Sequence, residues 1–150
     1  MPFVRRYFLF IPFLFVCFSS FSLSGEPGLE KDIFTQTNEF RSLNGLPPLL
    51  YREDLGEIAR KHSADMAGGR TGFGHNGFDD REARIKTIIT PYHGMAENVA
   101  YGAHSAKEVV SIWKKSSGHR RNMLGPYKYI GIGTARDRKG QIFFTEIFVR

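Results

Sequence analysis

The sequence predicts an α+β protein in which the helices come first and two strands come last. Apolar residues recur at helical spacing between positions 29 and 67, and a helix-capping pattern begins at Ser105. The last two segments, 129–135 and 141–149, are rich in Ile, Phe, Thr and Val and apolar on both faces. This favours a three-layer α/β/α sandwich, with a central, mostly antiparallel sheet covered by helices on both faces, and not a doubly wound fold.

The size and composition of the chain limit it to one globular domain. It has 150 residues, of which 41% are hydrophobic and 24% charged, with a net charge of +6. Only one Cys is present, so an intramolecular disulfide or a Cys-rich zinc site is excluded. We find no repeats.

The N-terminal segment is typical of an export signal. Arg5 and Arg6 precede an apolar stretch at 7–18, which is shorter than the ~20 residues that a spanning helix needs. We expect residues 1–24 to form a secretory signal segment, cleaved before Gly25, and an uncleaved anchor is the alternative. The mature protein would then be extracellular or periplasmic, without a transmembrane segment.

Cys17 leaves a second possibility open for the leader. The residues before it weakly resemble a bacterial lipoprotein box, although Val16 is larger than the small residue usual there. Lipoprotein anchoring through Cys17 is therefore the less favoured alternative to secretion.

Two helices open the domain of residues 25–150. The first is predicted over 29–44, with a buried stripe that ends at Leu43, because Asn44-Gly45 and then two prolines stop it. The second is predicted over 54–67 and stops at two glycines. Its stripe consists of Leu55, Ile58, Ala59, His62 and Met66.

Two further helices and a hairpin complete the domain. We predict a short helix over 79–89, capped by Asp79 or Asp80, after a glycine-rich loop at 70–78. Ser105 and Glu108 form a capping box for the next helix, in which Val109, Ile112 and Trp113 would be buried. Ser117-Gly118 should break that helix before a last turn at 119–124. The tetrapeptide 137–140 should link the two strands as a hairpin loop.

Most signatures of enzymes are missing. Residues 72–77 match GxGxxG literally, but they follow a helix and lead into a loop, so they do not form a dinucleotide site. The sequence lacks HExxH, GxSxG and Walker A patterns, and the mature chain has no Cys nucleophile. A Ser-His-Asp triad assembled from separate loops stays open, because triads are defined by geometry.

Two histidines and one glutamate are the candidate functional residues. His75 and His119 each follow a glycine at the edge of a regular element, where an imidazole can face a cleft. Glu97 opens an apolar run, where a carboxylate must be paired or metal-bound. Two imidazoles and a carboxylate can hold Zn²⁺ with one position open. The alternative is a purely structural Glu97.

The other histidines and the basic residues have simpler interpretations. We expect His62 to be a core histidine and His93 and His104 to be solvated. The segment around His119 is basic, which is typical of a solvated face but could attract an anionic membrane or polysaccharide. Its cations are Lys114, Lys115, Arg120, Arg121 and Lys128. Nucleic-acid binding is not expected, because no recognition motif is present.

Taken in order, these motifs resemble the CAP superfamily of cysteine-rich secretory proteins, antigen 5 and pathogenesis-related proteins, and above all its short bacterial branch. The resemblance covers about residues 30–149. It rests on the segments 38–49, 59–67, Gly74-His75, 96–100, 113–124 and 130–133. It implies the CAP-type α/β/α sandwich, in agreement with the fold predicted from the pattern.

The resemblance also implies a cleft with two His and two Glu. By motif these are His75, Glu97 and His119, and the second Glu should lie three residues after the helix Trp. Ser116 occupies that position, so the set is incomplete. Glu146 could supply a carboxylate, although the family pattern places none there. The disulfides of eukaryotic members are also absent.

Three functions remain open at this stage. The first is a secreted, non-enzymatic module whose cleft, lined by His75, Glu97, His119 and Ser116, binds a small apolar or anionic ligand or a metal. In that reading His75, His119 and Glu97 ligate zinc or another divalent cation. The second is a metal-dependent hydrolase with Glu97 as general base. The third is a protein that binds lipid or the cell envelope through its basic segment without metal.

Overall fold

The computed structural model describes residues 25–150, so the predictions for the leader and for Cys17 lie outside the described residues. The helices and the C-terminal hairpin follow the predicted order, but two strands that were not predicted also lie between helices. The helices are α1 (Pro27–Leu43), α2 (Glu53–Ala67), α3 (Phe78–Ile88), α4 (Ala106–Lys115) and α5 (Ser117–Met123). The strands are β1 (Leu50–Tyr51), β2 (Met95–Tyr101), β3 (Tyr129–Arg136) and β4 (Ile142–Val149).

The four strands form one sheet in the order β1-β3-β4-β2. β3 and β4 form the predicted antiparallel hairpin, and β2 pairs antiparallel with β4, so that Asn98 lies opposite Glu146. The two-residue strand β1 pairs parallel with β3. The predicted α+β fold with a mostly antiparallel sheet is confirmed.

Each face of the sheet has its own core. On one face, α1, α4 and α5 pack over apolar side chains of β3 and β4, with Trp113 at the centre of α4. On the other face, Leu55, Ile58 and Ala59 of α2 and Ile85 of α3 pack against the opposite sides of the same strands. The three-layer arrangement follows from this distribution.

Two glycines let α2 lie directly on β3. A Cβ on Gly131 would be 2.3 Å from the Leu55 carbonyl carbon, and one on Gly133 would be 2.0 Å from the Arg60 amide nitrogen. Neither distance is compatible with a side chain, because both neighbours are backbone. This close approach fixes α2, which carries His62 toward the candidate site.

Several local predictions were wrong in detail. Leu43 is 83% exposed and Ile112 is 42% exposed, so neither belongs to its predicted buried stripe. Val110 takes the buried place in α4, because the helix presents a face centred on Val109 and Trp113. The helical break falls at Ser116, whose extended backbone both ends α4 and starts α5.

Helix capping also differs from the predicted pattern. Gly77, with a left-handed φ of 75°, caps α3, and the two aspartates fall inside its first turn. The Ser105 hydroxyl accepts from the Glu108 amide as predicted. The Glu108 carboxylate, however, accepts from the His104 amide at 2.8 Å, one residue before the expected partner.

The outer edge of β2 is covered by side chains of α4 and α5. The Trp113 indole N–H lies 3.4 Å from the Val99 carbonyl oxygen, and the Asn122 amide donates to the Glu97 carbonyl at 3.3 Å. These groups satisfy carbonyls that face away from β4. The contact of α5 with this edge also brings the His119 carbonyl within 3.3 Å of Asn98 Nδ2.

The N-terminal turn of α1 covers the far edge of β3. The Glu30 carboxylate accepts from the Thr134 backbone amide at 2.9 Å, and the Glu26 backbone amide donates to the Thr134 hydroxyl at 2.9 Å. Arg136 pairs with the Glu26 carboxylate at 2.5 Å. The chain therefore enters the fold at the β1–β3 side of the sheet.

Candidate functional site

The candidate site is built around the carboxylate of Glu97 in β2. The side chain is 0% exposed, and it lies on the sheet face that α2 and α3 cover. Arg81 donates from Nε to Oε2 and from Nη2 to Oε1, both at 2.7 Å. This two-pronged contact supplies the counter-charge that a buried carboxylate requires.

Arg81 reaches Glu97 because of how α3 begins. The left-handed Gly77 turns the chain into the helix, and Arg81 closes the first turn with its amide on the Gly77 carbonyl at 3.1 Å. Its Nη1 also donates to the Asn76 carbonyl at 2.9 Å. The guanidinium thus links the glycine-rich loop to the sheet. A cavity of about 310 Å³ lies on the other side of Arg81, between α2 and α3.

His75 sits at the tip of the glycine-rich loop with its ring half exposed. Its Nδ1 lies 2.9 Å from Glu97 Oε1, and its side chain is 51% exposed. Because the Arg81-paired carboxylate only accepts hydrogen bonds, His75 Nδ1 carries the proton. The lone pair is then on Nε2, away from Glu97.

His62 holds the same loop in place through the backbone carbonyl of Gly74. It is buried in α2, as predicted for a core histidine, and its Nε2 lies 2.9 Å from the Gly74 carbonyl and 3.7 Å from Glu97 Oε1. Burial lowers the pKa of His62, while the nearby Glu97 opposes that shift. A neutral ring that donates to Gly74 fits this position. His93 and His104 are exposed, as predicted.

His119 stands on α5, close enough to His75 for the two rings to interact electrostatically. Its Nδ1 is buried and has no hydrogen-bond partner among residues 25–150. Burial lowers the pKa of His119, and the neighbouring His75 ring lowers it further. Both effects favour the neutral ring at pH 7.

Behind His119, an amide network crosses the edge of the sheet. Asn122 Nδ2 donates to Asn98 Oδ1 at 2.9 Å, and Asn98 Nδ2 donates to the His119 carbonyl at 3.3 Å. Asn98 Nδ2 also donates to Glu146 Oε2 at 3.2 Å. Glu146 therefore lies on the opposite sheet face from Glu97 and belongs to the support of α5.

The structure brings some of the predicted residues together and places others apart. His75 contacts Glu97 directly, and the His75 ring is close enough to His119 to lower the pKa of His119. Ser116 lies at the α4–α5 junction, half-buried, and its hydroxyl caps neither helix. Its predicted place in the cleft stays a prediction.

Sequence reasoning missed Arg81 as part of the site. The signal was the buried carboxylate itself, since Glu97 in an apolar strand requires a cation. Two arginines, Arg81 and Arg84, lie in the predicted helix over 79–89. Only the three-dimensional register of α3 shows that Arg81 reaches Glu97, whereas Arg84 faces Glu57 on the surface.

The metal ligands were predicted as His75, His119 and Glu97. Within the described part of the chain, no three His, Cys, Asp or Glu side chains converge as a metal-binding group. Both Glu97 oxygens already accept from Arg81, and one also faces His75. Metal binding, with zinc or another cation, stays a prediction.

The sequence profile of the cysteine-rich secretory protein (CAP) family matches residues 34–148. The chain belongs to this family. The match covers every strand and helix that carries the site. It confirms the family that the motif order suggested.

Two relatives of this CAP chain come from Bacillus species. It is 36% identical over 107 residues to the uncharacterised protein YkwD of Bacillus subtilis, over 69% of this chain and 41% of that protein. It resembles the crystal structure of an extracellular SCP-domain protein from Bacillus anthracis with a TM-score of 0.69 and 29% identity, over 83% of this chain and 41% of the other.

A third relative is a cysteine-rich secretory protein from Staphylococcus aureus. It superimposes with a TM-score of 0.67 and 27% identity, over 82% of this chain and 39% of that one. The CAP chain thus spans about two fifths of the length of these relatives. Among residues 25–150, no helix has both the length and the hydropathy to cross a membrane.

Proposed function

We propose that this CAP chain is an extracellular binding module whose cleft takes a divalent metal ion, zinc first, on His75 and His119. The main support for this proposal is the hydrogen bond between His75 and Glu97. A carboxylate that accepts from one ring nitrogen fixes the tautomer and leaves the other nitrogen as a metal ligand. The 2.9 Å contact between His75 Nδ1 and Glu97 has this form.

The state of His119 supports the same proposal. A buried ring nitrogen without a partner is costly unless something in the cleft binds it. Neutral imidazole is a common ligand of zinc, and the lowered pKa of His119 keeps the ring neutral at pH 7. The two donors therefore fit a metal ion.

Glu97 acts in this proposal as the group that orients His75 and not as a ligand. Both of its oxygens accept from Arg81, so little of its charge is left for a cation. Ser116 replaces the second family glutamate. A site with two histidines leaves open coordination positions, which oxygen atoms of a small anionic ligand would fill.

The geometry favours binding over hydrolysis by Glu97. A general base must lie within hydrogen-bond reach of the water or substrate proton that it removes. Glu97 is 0% exposed and enclosed by Arg81 and His75. Water reaches His75, which is half exposed, but not the carboxylate behind it.

A zinc titration by calorimetry tests the proposal. We expect micromolar or tighter binding to the purified protein, and loss of binding in His75→Ala/His119→Ala. The matched control is His93→Ala/His104→Ala, which removes two exposed loop histidines and should leave the affinity unchanged. Unaltered binding in the first variant, or no binding to the wild-type protein, would contradict the proposal.

The pH dependence gives a second check. Protonated imidazole does not bind metal, so zinc affinity should fall as pH drops through the pKa values of the two histidines. Because the pKa of His119 lies below its usual 6.5, the loss should be completed only at more acidic pH. Constant zinc affinity between pH 5 and 8 would count against ligation by these residues.

A second candidate function is binding to an anionic envelope surface through the basic segment. Lys114 Nζ and Arg120 Cζ lie 4.8 and 5.1 Å from the Phe40 ring centroid. Within residues 25–150 none of the five cations of this segment forms a salt bridge, so no carboxylate neutralises their charge. Lys114 and Arg120 thus lie over the same ring, and Arg120 directly follows His119 in α5.

Vesicle co-sedimentation separates the two candidates. Lys114→Glu/Lys115→Glu should weaken binding to vesicles that contain phosphatidylglycerol, and binding should fall with added salt. His75→Ala should leave this binding intact. No binding of the wild-type protein to such vesicles at low salt would remove the second candidate.

A further inference from the structure

Glu146 is a buried carboxyl that the proposed metal site does not use. It lies on β4 with no exposed surface, on the sheet face that α1 and α4 cover. Within residues 25–150, only the neutral groups Thr37 and Asn98 contact its oxygens. A carboxylate in such a place is less stable than a neutral carboxyl, because no positive group balances its charge.

The two contacts of Glu146 differ in what they allow. Asn122 donates to Asn98 Oδ1 at 2.9 Å, and the His119 carbonyl can only accept, so Asn98 must present its Nδ2 hydrogens. Asn98 is therefore a fixed donor to Glu146 Oε2. The Thr37 hydroxyl, 2.8 Å from Oε1, can donate to a carboxylate or accept from a protonated carboxyl. The site holds both states of Glu146.

Burial raises the pKa of Glu146 to about 7, against smaller opposing effects of Thr37 and Asn98. Both states are thus populated near neutral pH. In the ionised state a full negative charge pulls on the same Asn98 amide that holds the His119 carbonyl. The change in charge is transmitted to α5 by one side chain.

Six charged or titratable residues on the elements packed around Glu146 contact groups other than its carboxyl. They are Glu30 and Arg41 of α1, Glu97 of β2, Lys114 of α4, and His119 and Arg120 of α5. On β3, the residue opposite Glu146 is Ile132. Of these six residues, only His119 is connected to Glu146, through Asn98. No charged group shifts the pKa of Glu146.

We propose that Glu146 is a positioning residue for His119, acting through Asn98, and that loss of its proton loosens the His119 end of α5. The cleft would then sense pH through a carboxyl that no ligand touches. The inference rests on the proposed function only in taking His119 as a metal ligand. The contacts from Glu146 through Asn98 to the His119 carbonyl are present without metal.

Nuclear magnetic resonance on metal-free protein, expressed from the full 150-residue chain, tests this directly. The Glu146 side-chain carboxyl carbon, the Asn98 side-chain amide and the His119 carbonyl carbon are followed from pH 5 to 9. We expect all three resonances to shift along one curve with a midpoint near 7. In Glu146→Gln, which mimics the protonated state, the Asn98 and His119 resonances should stay at their low-pH positions.

Two controls separate this step from other titrations. Glu30→Gln changes a buried carboxylate that Arg60 already pairs, and it should leave the shared step in place. His75→Ala should also leave the step in place, which excludes the neighbouring imidazole as its source. Thr37→Val removes a donor to the carboxylate and should move the midpoint upward.

The outcomes are distinct from those of the zinc titration. If the Glu146 carboxyl titrates but the His119 resonance does not follow it, or follows it equally in Glu146→Gln, the positioning role is refuted. If Glu146 does not titrate between pH 5 and 9, the proton dependence is refuted. Absence of zinc binding would leave all of these measurements interpretable, since no metal is added.

Discussion

At the scale of single residues, Arg81 supplies the counter-charge of the buried Glu97 carboxylate. It is 11% exposed and meets Glu97 with two nitrogens at 2.7 Å. Removing one partner of a buried ion pair leaves the other uncompensated, which costs about 3–5 kcal/mol. Arg81→Met should therefore lower the free energy of unfolding by at least the lower end of that range, measured by urea denaturation at pH 7.

A double variant distinguishes lost charge pairing from lost packing. Arg81→Met/Glu97→Met removes both charges and should recover most of the loss, as buried ion pairs often do when both members become apolar. If the double variant is as unstable as the single one, Arg81 stabilises the loop by packing and not through Glu97.

Glu146 gives a stability prediction with a definite sign. Its pKa is raised from 4.5 to about 7, so the folded state retains a proton that the unfolded chain releases above 4.5. The stability due to this group is complete below pH 4.5 and is lost as pH rises to about 7. Glu146→Gln should escape this loss, which amounts to roughly 3 kcal/mol at pH 8.

The measurement is the difference in unfolding free energy between Glu146→Gln and wild-type protein from pH 4 to 9. This difference should grow between pH 4.5 and 7 and then level off. A difference that stays constant over the whole pH range would show that the pKa of Glu146 is not raised in the folded protein.

Site residues could be predicted from the sequence only where neighbouring residues mark them. His75, Glu97 and His119 could be selected because local sequence placed them at glycine-flanked or apolar positions. The partner of Glu97 could not be selected, since Arg81 lies 16 residues away and meets it only through the packing of α3 on β2. The same holds for Asn98 and Glu146, whose contact depends on strand register.

At the scale of elements, the contact of α2 with β3 depends on Gly133. A Cβ there would lie 2.0 Å from the Arg60 amide nitrogen and 2.2 Å from the Ala59 carbonyl carbon. Gly133→Ala should push α2 from the sheet and lower the unfolding free energy by roughly 1–3 kcal/mol or more. Gly28→Ala is the matched control, because nothing lies within 4 Å of its Cβ position.

Thermal unfolding by circular dichroism measures both variants. The control should be neutral or slightly stabilising, as expected for alanine in an early helical turn. Equal effects of the two substitutions would show that α2 adapts to a side chain at 133. That result would also remove the steric reason for the position of His62.

Element boundaries were predictable where local chemistry sets them. Ser105 caps α4 through its hydroxyl, and the hairpin loop at 137–140 is closed by the Asp137 carboxylate on the Lys139 amide at 2.8 Å. The break between α4 and α5 was placed one residue late, because Ser116 breaks the helix by its backbone angles and not by its identity. The two-residue β1 carries no periodic signal.

At the scale of the whole molecule, one sheet couples two cores. Trp113, the single Trp of the sequence, lies in the core under α1 and α4, and Ile85 lies in the core under α2 and α3. Because both cores use β4, we expect them to unfold together. Ile85→Ala should lower the unfolding free energy reported by Trp113 fluorescence by roughly 2–5 kcal/mol.

Ile112→Ala is the control, since this residue is on the same helix as Trp113 but half exposed. Its effect should be well below that of Ile85→Ala. If the Trp113 transition is unchanged in Ile85→Ala while circular dichroism shows two steps, the faces unfold independently.

The first turn of α1 and the candidate site lie near different edges of the sheet. Glu26 and Glu30 hold the first turn of α1 at the β3 edge, whereas Glu97 and the His75 ring against it lie at β2, at the other end of the order β1-β3-β4-β2. The first described residues and the proposed metal site therefore lie at opposite edges of the sheet. A substitution at Glu26 acts on the edge that does not carry the proposed site.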